Sequence, residues 1–138
     1  MAQLEFIVWQ QNYSVGNKEI DSQHKELMNF VNDAIGHSTG NKKAESDYFS
    51  LVIKPGIIFL QKHFDTEQAA MLAQNYEGYQ SHKTEHDKMI ETLTRISDDV
   101  LAGRQALNLL EIALFIRDWF LNHIQEFDQK AKDCFKYS

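Results

Sequence analysis

Five of the six histidines in this 138-residue chain fall at spacings that could build a metal site. His63 and Glu67 are four residues apart, and so are His82 and His86 in the stretch QSHKTEHDKM. Positions four apart in an α-helix differ by about 40° of rotation, so each pair would aim both ligands from one face. His24 and His123 stand singly, and Asp128 follows His123 by five residues. Imidazole and carboxylate suit iron, zinc, manganese or copper. The lone cysteine, Cys134, leaves no room for a thiolate zinc site or an iron–sulfur cluster.

The segment HKTEH also matches H-x-x-E-H, a zinc-peptidase pattern. That chemistry needs a third ligand from a distant segment, an open cleft, and Glu85 beside the histidines. On an ideal helix Glu85 lies about 300° round from His82 and about 100° from His86. It falls off their stripe, so the peptidase reading is poor.

The elements that must position these side chains are helices. The chain has 6 glycines and 1 proline, and its apolar residues recur at helical spacing. Four helices are predicted, roughly over 20–37, 44–74, 79–102 and 105–128. Asp21 is the expected N-cap of the first, with Ile20 as a staple before it. Pro55 predicts a kink or break near Leu51 to Pro55 in the second. Glycines Gly78 and Gly103 mark later turns. Four comparable helices with short loops make an all-α, antiparallel up-down-up-down four-helix bundle, and 1–138 is expected to be a single domain. Residues 1–19 show no clear helical pattern and read as an extended N-terminal arm along the bundle.

Each helical stripe carries histidine among its core residues. The first runs His24, Leu27, Val31, Ile35, and the second includes Leu60, His63, Glu67, Ala70 and Met71. The third has His82, His86, Met89 and Leu93, and the fourth has Ala113, Ile116, Phe120 and His123. Burying so many polar groups unpartnered would cost roughly 1–3 kcal/mol each. One shared metal centre resolves the set. Asp128 is about 140° round from His123 on an ideal helix, so a π-bulge or an unwound last turn is expected there. His37, about 220° from His24, should be an ordinary exposed histidine.

Composition narrows the function classes. The chain is 43% hydrophobic and 25% charged, with a formal net charge of -6 at pH 7. No basic cluster offers itself to nucleic-acid phosphates. No apolar run approaches the roughly 20 residues of a membrane span. The opening MAQLEFIVWQ lacks the basic start of a signal peptide. A single cysteine fits a reducing compartment, so a cytoplasmic location is expected.

Taken in order, these residues resemble the hemerythrin family in its single-domain bacterial form. The match includes Trp9, VGNKEIDSQHKEL from Val15, HFDTEQAAM from His63, the H-x-x-x-H of the third helix and the H-x-x-x-x-D of the fourth. Gln68 stands where the family usually has a second glutamate, and Tyr76-Glu77 replaces its Tyr-Pro. The resemblance implies a non-haem di-iron centre with two Fe ions. His82, His86 and His123 would hold one iron and His24 and His63 the other. Glu67, Asp128 and an oxo or hydroxo group would bridge them. The first iron then has six ligands and the second five, leaving one position for dioxygen. The implied activity is reversible dioxygen binding for storage, transport or sensing, by a monomer. An oxidative enzyme, or a protein handling nitric oxide or peroxide, is the alternative on the same site. Ile116, Trp119 and Phe120 would either wall the oxygen pocket or serve as plain core.

Overall fold

A computed structural model of the chain describes residues 6–136. Four long helices form an antiparallel bundle: α1 (Lys18–Gly36), α2 (Lys42–Ala73), α3 (Tyr79–Leu101) and α4 (Leu109–His123). No strand occurs among the described residues. A π-helical turn, Ile124–Asp128, continues α4, and a short α5 spans Lys132–Lys136. Neither α5 nor its role was anticipated.

Asparagine starts three of the four long helices. The side chains of Asn17, Asn41 and Asn108 accept from the backbone N–H of Ile20, Ala44 and Glu111, at 2.9, 3.0 and 3.0 Å. Each satisfies a donor with no intrahelical partner. Asp21 is therefore not the N-cap of α1, which begins earlier, at Lys18. Its carboxylate instead accepts from Ser14 Oγ at 2.5 Å and Val15 N–H at 2.9 Å, tying the preceding chain to the first turn. The fourth helix starts at Leu109 rather than near residue 105, because Asn108 provides the cap.

Of the kink or break expected near Pro55, the break does not occur: α2 runs through it as one helix. Proline removes the bond to the carbonyl four residues back. That residue is Leu51, 74% exposed, so water can serve the orphaned carbonyl. Buried Phe49 and Ile53 on one side and Leu60 and Phe64 on the other hold both halves against the bundle.

The arm lies along α1 as expected for its described part; residues 1–5 fall outside the described residues. Asn32 bonds both ways with Ile7, accepting its N–H at 2.7 Å and donating to its carbonyl at 2.9 Å. Lys25 sits 4.7 Å over the Trp9 ring. Gly16, with φ 78, turns the chain into α1 beside the Lys136 side chain. The C-terminal segment closes over the same end: Asn17 Nδ2 donates to Phe135 O at 2.8 Å and Gln129 Nε2 to Ser14 O at 3.0 Å.

The core has an order along the bundle axis. A large apolar cluster includes Leu27, Val31, Leu60, Met89 and Phe120, and a smaller one includes Val15, Ile20, Met71 and Phe135. His24 lies between Ile20 and Leu27 in sequence, and His63 and Glu67 between Leu60 and Met71. Helical rise therefore puts one polar layer between two apolar ones. No described helix is long and apolar enough to cross a membrane.

Candidate metal centre

All seven residues expected from spacing, His24, His63, Glu67, His82, His86, His123 and Asp128, lie at 0–2% exposure. They form two groups that share both carboxylates. Glu67, His82, His86, His123 and Asp128 make one, and His24, His63, Glu67 and Asp128 the other. Within each group the ligand atoms lie within 4.8 Å of one another.

The two carboxylates divide their oxygens between the groups. Glu67 turns Oε2 to His24 Nε2 at 3.1 Å and His63 Nε2 at 3.0 Å, and Oε1 to His86 Nε2 at 3.2 Å. Asp128 turns Oδ2 to His24 Nε2 at 3.1 Å, and Oδ1 to His82 Nε2 at 3.0 Å and His123 Nε2 at 3.2 Å. Each carboxylate thus presents one oxygen to each group of histidines.

Several of these close atoms make no hydrogen bond: His63 Nε2, His82 Nε2, Glu67 Oε1 and both Asp128 oxygens. Buried polar atoms at such distances without a bond need another partner. Two ligand atoms each about 2.1 Å from one ion and at right angles to it are about 3.0 Å apart. The donor set and its spacing fit metal ions held between the two carboxylates.

Local structure explains how each side chain arrives. The i, i+4 pairs His63/Glu67 and His82/His86 use the helical register of α2 and α3 directly. Asp128 reaches His123 through the π-helical turn, which is where the sequence predicted a departure from α-geometry. The extra residue per turn brings a position five along back to the same side.

Residues around the ligands fix the rings. Gln23 Oε1 accepts from His63 Nδ1 at 2.7 Å, and Gln68 Oε1 accepts from His86 Nδ1 at 2.9 Å. An amide carbonyl that takes the Nδ1 proton leaves Nε2 as the lone pair facing the carboxylates. Phe64 stacks on His86 at 3.8 Å and 4°. His123 stacks with Trp119 at 4.6 Å and with Phe127 at 5.3 Å, four residues to either side. Phe120 meets the His24 ring edge-on at 5.5 Å. The roles of Gln23, Gln68, Phe64 and Phe127 were not foreseen; beyond the family positions of Gln23 and Gln68, the signal was their place next to a ligand or one turn from it.

Electrostatics follow from burial against mutual attraction. Burial alone would lower His24 and His82, but the adjacent Asp128 and Glu67 carboxylates outweigh it. His24 is raised to about 10 and His82 to about 9. Burial wins at His86, which is lowered to about 4. Burial opposes charge on Glu67 and Asp128 too, yet the surrounding imidazoles hold both well below the usual carboxylate range. The two acids are therefore anionic at neutral pH and ready to bind cations.

His37 stays outside the centre, exposed and stacked on Tyr48 at 3.9 Å. Glu85 also stays outside the seven-residue cluster, half-buried on α3. Ile116, partly buried, packs against the apolar core.

Comparison with known proteins agrees with this arrangement. The family model for the hemerythrin HHE cation binding domain matches residues 15–134. A hemerythrin-like protein of Naegleria gruberi is 31% identical, covering 90% of this chain and 89% of the relative. The bacteriohemerythrin of Methylococcus capsulatus is 29% identical, covering 83% and 84%. A wild-type hemerythrin crystal structure superposes with a TM-score of 0.82 at 26% identity, covering 94% of this chain and 98% of that one. With a buried layer of histidine and carboxylate able to hold metal in a bundle of this shape, and a family match over most of its length, the chain belongs to the hemerythrin family.

Proposed function

We propose that this protein binds dioxygen reversibly at a non-haem di-iron centre. The observation that carries the reading is the division of Glu67 and Asp128, one oxygen of each towards each group of histidines. His82, His86 and His123 would hold one iron, and His24 and His63 the other. With the two carboxylates and a solvent-derived bridge, the first set counts six ligands and the second five. The His24/His63 set would thus be one ligand short, leaving room for a small molecule, and irons bound there would supply the electrons for dioxygen binding.

The protein's own part is positional. Gln23 and Gln68 hold two imidazoles in the ligating tautomer. Phe64, Trp119 and Phe127 fix the ring planes. Phe120, buried against His24, keeps water from the five-ligand side, and Trp119 and Ile116 extend that wall. Five histidines against two carboxylates, with one open position, favour carriage over oxidation of a second substrate. The chain would work in the cytoplasm as a monomer, where its buried free Cys134 stays reduced.

Iron content and visible absorption under alternating dioxygen and argon test the reading. Two irons per chain and a band that appears and disappears over repeated cycles are expected. A single turnover that ends in a permanently ferric protein would make it an oxidative enzyme instead.

A further inference from the structure

The metal layer lies near one end of the bundle. α1 begins six residues before His24, α2 ends six after Glu67 and α3 begins three before His82. On the other side each long helix runs on for at least twelve residues beyond its nearest ligand, or about 18 Å. At the near end the cover is a thin apolar layer that includes Val15, Ile20, Met71, Ala131 and Phe135, all at 0–1% exposure. Ala131 and Phe135 do not belong to the four long helices. They come from the segment 129–136, which follows the π-helical turn and packs against the start of α1 and the end of α2.

This segment has little hold of its own. α5 has five residues, far below the roughly 12–15 at which a helix is even marginal alone. Phe135 anchors it by packing, and ties to the arm hold it down. Asn17 Nδ2 donates to Phe135 O at 2.8 Å, and Gln129 Nε2 to Ser14 O at 3.0 Å. A short element held in this way opens locally at lower cost than the helices beneath it. Opening lifts Phe135 off the ligand layer. It also frees the chain directly after Asp128, the carboxylate that both groups of histidines share.

We propose that residues 129–136 form a strap whose opening admits and releases the metal ions, with Phe135 as its plug. The proposal rests on the reading of the centre as a di-iron site. With Asp128 engaged by metal the strap stays down, and with the centre empty it opens more often.

Cys134 lies on the strap, is buried, and is the single cysteine of the chain, so its reaction with a thiol reagent reads strap opening. Labelling of Cys134 and iron removal by excess chelator are followed side by side in the ferric, iron-loaded chain. Phe135→Ala and Gln129→Ala should speed both by a common factor, about tenfold or more for Phe135→Ala. Iron content and visible spectrum of the loaded variants should not change. Taking iron out of the parent should speed labelling too. Ile35→Ala, in the large apolar cluster at the far end of α1, should lower Tm yet leave both rates at the parent's. Gln129→Ala keeps Phe135 in place, so it decides the matter where Phe135→Ala fails to fold. Iron removal at the parent's rate in the folded strap variants, whether or not labelling changes, would overturn the strap as the route. So would iron removal that Ile35→Ala speeds as much as Gln129→Ala does. A parent that holds no iron would end the di-iron reading and this one together. Because the rates are read in ferric protein, they do not depend on whether dioxygen binding is reversible.

Discussion

Replacing Asp128 by asparagine keeps the size of the side chain and removes its charge. The carboxylate is fully buried, with its oxygens 3.1 Å from His24, 3.0 Å from His82 and 3.2 Å from His123. Removing one member of such a buried charged network costs about 3–5 kcal/mol, because the partners left behind stay desolvated. Two features place this case at the lower end. Glu67 still pairs with His24 at 3.1 Å, and His82 can release its proton once its anchor is gone. We therefore expect a loss of about 3 kcal/mol in the iron-free protein. For a domain of this length each kcal/mol moves Tm by roughly 3–5 °C, so Tm should fall by about 10–15 °C. The variant also removes a bridge common to both groups of histidines, so iron content should fall at both positions together. Urea unfolding of the iron-free protein and iron analysis of the loaded one measure the two effects. A variant that loses less than about 1 kcal/mol and still holds two irons per chain would refute the shared-carboxylate reasoning.

Other expectations follow from the same geometry. His37→Ala removes only an exposed stack on Tyr48, so iron content and spectrum should not change and stability should shift by less than about 1 kcal/mol; loss of iron would mean the helix faces are misassigned. Gln68→Ala takes away the acceptor for His86 Nδ1 and should weaken metal affinity about 10–100-fold, as read by competition with a chelator. At pH 7 the raised His24 and His82, at about 10 and about 9, carry protons that metal binding must displace. Iron uptake should then release about two protons, and affinity should fall as pH drops from 9, which calorimetry in buffers of different ionisation enthalpy can measure. The sign for stability without iron is the reverse. Those two histidines stabilise the fold fully below their ordinary 6.5 and lose that contribution as pH rises through about 9 to 10, whereas Glu67 and Asp128 lose theirs as pH falls towards their depressed values. Alkaline destabilisation that iron does not relieve would contradict this.

The helical periods and the spacing of the candidate ligands were readable from residue types alone, because five of the six histidines sit on stripes of apolar residues where nothing else explains them. The departure from α-geometry before Asp128 was readable for the same reason: five residues cannot align on an ideal helix. Pro55 does not break α2 because the carbonyl it orphans belongs to the exposed position Leu51. Asp21 misled because an acid suits both an N-cap and a first turn; only the position of Asn17 decides between them. Gln23 and Gln68 could not be assigned partners from sequence, because their bonds join residues 40 and 18 apart across helices. The short α5 has too few residues to show a period.

Anomalous diffraction at the iron edge, from crystals of the iron-loaded protein, tests the central claim most directly. Two peaks are predicted, one among His82, His86 and His123 and one between His24 and His63, both flanked by Glu67 and Asp128. A single peak, or iron bound away from these seven side chains, would contradict it.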